Sequence, residues 1–63
     1  MGERVKQHII QMLEHGRVEV SKDSSEAYLK AASFVFDNGL LYLSPNGKRE
    51  VIDQLRTSHS NKE

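Results

Sequence analysis

Residues Gly39 to Leu55 read GLLYLSPNGKREVIDQL, four consecutive apolar side chains, a Ser-Pro-Asn-Gly break and a second apolar cluster. Leu40 to Leu43 would be apolar on both faces of a strand, the pattern of a strand covered from both sides. Ser44 followed by Pro45 reads as a helix N-cap with proline at the first helical position, where its fixed φ suits the helix and its missing amide proton costs nothing. Val51, Ile52 and Leu55 then fall on one helical face. The stretch is expected to be a short central strand, Leu40 to Ser44, turning sharply into a helix. The alternative is a hairpin joining LLYLS to REVID through Asn46-Gly47, because Asn-Gly is a strong hairpin signal.

Val5, Ile9, Met12 and Leu13 are spaced i, i+4, i+7 and i+8, which predicts an amphipathic helix over Glu3 to His15. Gly16 is placed to end it in a left-handed cap. Val18 and Val20 alternate with Arg17, Glu19 and Ser21, the period-two pattern of a half-buried strand. Asp23 or Ser24 is the expected N-cap of a second helix, with Glu26 completing a capping box. Tyr28, Ala31, Ala32 and Val35 make its stripe, and the lack of polar alternation from Lys30 to Phe36 favours helix to about Asp37. A hairpin of SFVF and LLYLS around Asn38-Gly39 competes with that reading. The expected fold class is thus α+β, one small domain over 1–57 in the order αβαβα with a two- or three-stranded sheet, followed by a disordered polar tail over 58–63.

The chain has 63 residues, no cysteine, and nine basic against nine acidic side chains. Neither disulfides nor thiolate zinc sites can staple a domain of this size, so packing alone must hold it, and homodimerisation would enlarge the core. Charge neutrality argues against a partner bound chiefly through phosphate neutralisation. No apolar run reaches membrane-spanning length and the N-terminus lacks a signal-peptide core, so a cytoplasmic protein without a membrane partner is expected.

Tyr42, Leu43, Ser44, Pro45, Gly47, Arg49, Glu50, Val51, Ile52 and Leu55 resemble the segment ending winged-helix DNA-binding domains, where the last wing strand enters a final helix. Gly16, Val18, Val20, Gly39, Leu40, Leu41, Leu43, Ser44 and Pro45 are also similar to the carboxy-terminal winged-helix domain of conjugative relaxases. The resemblance implies a winged-helix-like fold and nucleic-acid binding by a basic helix face or loop. The sequence departs from it between Val20 and Leu40, where there is room for one helix of about thirteen residues at ~1.5 Å each rather than a helix-turn-helix pair and a wing.

His8, His15 and His59 lack the i, i+4 spacing of a histidine metal pair, and no metal site is expected. So short a chain leaves little room for an enclosed pocket, and PNGK lacks the length of a phosphate loop; no catalytic residue, cofactor or small-molecule substrate is assigned. The sharper candidates are a basic edge of Lys48, Arg49 and Arg56, joined by Lys30, for contact with DNA phosphates, and the aromatics Phe34, Phe36 and Tyr42 for docking to a larger protein or to a second copy. The expected function is a non-enzymatic binding module contacting nucleic acid as an accessory or regulatory factor. The alternative is a protein-interaction module that docks on and modulates a larger protein.

Overall fold

A computed structural model describes residues 2–60. It contains three α-helices, α1 (Glu3–His15), α2 (Glu26–Asp37) and α3 (Pro45–Ser60), with a short 3₁₀ turn over Leu40–Tyr42 before the last. No strand forms among the described residues. The expected αβαβα, winged-helix-like architecture is therefore corrected to an all-α domain, and the wing goes with it.

The two expected strands fail for a shared reason. A strand over 18–21 needs a partner, and the only candidate, Leu40 to Ser44, is closed on itself. Gly39 adopts a left-handed conformation with φ 59°, the Tyr42 amide donates to the Gly39 carbonyl at 3.1 Å, and the Leu43 amide donates to the Leu40 carbonyl at 3.3 Å. With a helix ending at Asp37 and another beginning at Pro45, these few residues connect the two helices. An extended backbone there would leave its amides without a neighbouring ladder.

The 17–25 segment meets the same demand with side chains. The Glu19 amide donates to the Tyr28 hydroxyl at 2.8 Å. The Ser21 and Asp23 amides donate to the hydroxyls of Ser24 and Ser21. Val18 is half-buried, whereas Val20 is 53% exposed, so the alternation marks a loop lying along the domain with one side chain turned inward.

Helix boundaries follow local chemistry. Gly16, with φ 72°, caps α1, and the amides of Gly16 and Arg17 both donate to the Met12 carbonyl, closing the orphan carbonyls at the helix end. Ser25 rather than Asp23 or Ser24 is the N-cap of α2, accepting from the Tyr28 amide at 3.1 Å. Ser44 caps α3 as expected, its hydroxyl accepting from the Gly47 amide at 3.1 Å. Of the polar tail expected over 58–63, the backbone is helical to Ser60 and residues 61–63 lie outside the described residues.

Ile9, Met12 and Leu13 from α1, Ala31, Ala32 and Val35 from α2, Leu40 from the turn and Ile52 from α3 form one buried cluster. The three α1 positions are those the helical spacing picked out. Ala31 and Ala32 bring the backbone of α2 close to its neighbours, and α1 is the element that packs extensively against both other helices.

Candidate functional site

The apolar residues of α2 divide between two faces, and one of them is left partly open to solvent. Ala31 and Val35 point into the core, while Leu29 is 44% and Phe36 59% exposed. Seven residues apart, these two project within about 20° of one another at the helical repeat. Tyr42, in the turn after α2, is 93% exposed. A β-carbon built on Gly39 would lie 3.7 Å from Cδ2 of Tyr42, so the phenol stands beside the end of α2.

Of the expected docking aromatics, Phe36 and Tyr42 are on the surface, and Phe34 is half-buried against the core. Leu29 was not among the expected docking residues and joins the exposed set. Its spacing of seven from Phe36, on the side opposite Ala31 and Val35, is the signal that identifies it.

The basic candidates divide as well. Lys48, Arg49 and Arg56 line one shallow groove of about 480 Å³ between the end of α1 and the first turns of α3, together with His15. Glu14 and Asp53 line the same groove, and an Arg56 nitrogen lies 3.1 Å from a Glu14 carboxylate oxygen. Cations and carboxylates thus share the groove, which weakens the field that an anion would meet. Lys30 is on α2, away from this groove, with its ammonium 3.7 Å from Glu26 one helical turn earlier.

His8 packs on Tyr28 edge to face, with ring centroids 5.2 Å apart and an interplanar angle of 78°. That contact fixes the aromatic end of the Glu19 bond, and it is a packing role. Among the described residues no three His, Cys, Asp or Glu side chains gather as a metal-binding group, and no helix is long and apolar enough to cross a membrane. The geometry offers an exposed apolar strip and a groove of mixed charge, both suited to binding another surface.

No protein-family model, curated protein or solved structure matches this chain.

Proposed function

We propose that this chain is a small, non-enzymatic, cytoplasmic protein-interaction module whose docking face is built from Leu29, Phe36 and Tyr42. The observation that carries the reading is the exposure of both Phe36, at 59%, and Tyr42, at 93%, in a chain with four aromatic residues of the Phe, Tyr and Trp types. Aromatic anchors with few rotatable bonds are the residues that contribute most at protein interfaces. The net charge of zero also suits a protein partner better than a phosphate backbone.

The test is site-specific photo-crosslinking in cells of the chain's source, with benzoylphenylalanine at position 36, at position 42 and, as a control, at 53. Adducts from 36 and 42 but not from 53 are expected. A chain that yields no adduct from either aromatic position does not dock through this face.

A second reading keeps contact with DNA as an accessory or regulatory factor, because Lys48, Arg49 and Arg56 share one groove. A ¹⁵N chemical-shift titration with a short mixed-sequence duplex tests it. Shifts over 48–56 that fade as salt rises support phosphate contact. A spectrum unmoved at low salt removes it.

A further inference from the structure

We infer that α2 is a self-association surface: two copies of this chain pair α2 antiparallel about a two-fold axis, with Leu29 of each against Phe36 of the other. The inference rests on the docking reading above and names its occupant.

The argument starts from helical geometry. Leu29 and Phe36 lie about 10 Å apart along α2 and within about 20° of the same direction. Their midpoint falls between Ala32 and Ser33; Ala32 is buried in the domain's own core, so Ser33 is the small exposed residue between the two large apolar side chains. A two-fold axis through that midpoint sends position 29 onto position 36 and brings Ser33 of each copy near the closest approach. Such an isologous contact uses one patch twice.

The charges on the flank select the occupant. Ser33, Glu26, Asp37 and Lys30 project to one side of the Leu29–Phe36 strip, in that angular order, within roughly 100° of it. An antiparallel two-fold brings this flank of one helix beside the same flank of the other. Lys30 precedes the midpoint by about 2.5 residues and Asp37 follows it by about 4.5, so the partner's Asp37 comes within roughly 3 Å of level with Lys30. The pairing occurs twice. In a parallel two-fold pair the charged flank of one helix would instead lie beside the Tyr28, Ala32 and Val35 side of the other, where no charge answers it, and Leu29 would meet leucine.

Lys30 already holds Glu26 at 3.7 Å within its own helix, so each contact becomes a three-charge chain of Asp37, Lys30 and Glu26. A second copy of this chain therefore supplies both the apolar and the charged complement that the face lacks. One helix pair buries less than the ~1,200 Å² of a standard stable interface, and the dimer is accordingly weak and concentration-dependent.

Sedimentation equilibrium of the full chain from roughly 10 µM to 1 mM, a range spanning micromolar affinities, reads this directly. The wild type is expected to rise from 7.2 kDa towards twice that mass. Phe36→Ser is expected to remain monomeric throughout, with helicity by circular dichroism showing that the fold is kept. Lys30→Asp and Asp37→Lys are each expected to weaken association about tenfold or more, and the double exchange K30D/D37K to restore it, because the reversed charges again face their opposites.

A wild type that stays monomeric at 1 mM overturns the inference, as does a dimer that persists in Phe36→Ser or a double exchange that fails to rescue. The crosslinks from position 36 separate the two readings. Adducts at twice the chain mass support self-association. Adducts only to a different protein, with a monomeric wild type, overturn the dimer and leave the docking reading standing.

Discussion

The backbone amide of Glu19 donates to the hydroxyl of Tyr28 at 2.8 Å across nine residues of sequence, which ties the α1–α2 loop to the first turn of α2. His8 braces the same ring from α1. One phenol thus joins three pieces of chain that no strand pairing connects. Tyr28→Phe keeps the ring contact and deletes the acceptor. The expected cost is about 1 kcal/mol, or a fall in Tm of roughly 4–8 °C for a domain of this size. Amide exchange at Glu19 should accelerate more than exchange in the middle of α1. Unchanged protection at Glu19 would show that the bond contributes nothing in solution.

The core is thin enough for a single truncation to decide folding. Ile9 and Val35 are fully buried, one from α1 and one from α2. Ile9→Ala is expected to cost about 2–5 kcal/mol through lost burial and the cavity left behind. Total stability at ~0.05–0.15 kcal/mol per residue comes to roughly 3–9 kcal/mol for this chain length. The variant should be largely unfolded by circular dichroism at 37 °C, whereas Leu29→Ala, at an exposed position, should melt close to the wild type. A cooperative, near-native melt of Ile9→Ala would contradict the placement of the core.

The three helices were legible where the sequence encodes them locally. The α1 spacing, the Gly16 stop, the Ser44-Pro45 start and the end of α2 near Asp37 each depend on residues within a turn of the feature they specify. The two strands were misread because alternation and continuous apolarity report burial, not pairing. Val18 turns inward from a loop as readily as from a strand, and Leu40, Leu41 and Leu43 cover the core from a 3₁₀ turn. The site divided in the same way. Phe34, Phe36 and Tyr42 were singled out together, and only their places in the fold separate the half-buried Phe34 from the exposed Phe36 and Tyr42. Leu29 was passed over, although its spacing of seven from Phe36, away from the Ala31 and Val35 stripe, marks it as sharing that face. Grouping Lys48, Arg49 and Arg56 needed only their places on α3, but the presence of Glu14 beside Arg56 is a tertiary contact with no local signature.

Two glycines hold the left-handed backbone that ends α1 and redirects the chain after α2, with φ 72° at Gly16 and φ 59° at Gly39. A β-carbon at Gly16 would meet nothing within 4 Å, and at Gly39 only the edge of Tyr42 at 3.7 Å. Substitution by alanine therefore tests backbone conformation with little steric confusion. Each of Gly16→Ala and Gly39→Ala is expected to destabilise by about 1–2 kcal/mol in urea unfolding, and Gly16→Asn by less, because asparagine tolerates this region better. An alanine at either site that stabilises the domain would mean that the helix runs on through the turn.

The contact between Arg56 and Glu14 joins α3 to α1 at 3.1 Å, with both side chains about half exposed to solvent. In that setting an ion pair contributes at most about 1 kcal/mol, so Glu14→Gln should change stability by less than that. Its effect on the groove is of a different kind. Removing one carboxylate leaves Asp53 as the acid lining the groove among the described residues, and the local potential becomes more positive. If the groove contacts nucleic acid, Glu14→Gln should tighten binding to a short duplex at low salt and steepen the salt dependence, while Arg56→Gln should weaken binding and make it shallower. Fluorescence anisotropy with a labelled duplex at two salt concentrations distinguishes the cases. Equal and negligible binding by the wild type and both variants would leave Arg56 as a tie between helices and remove the groove as a phosphate site.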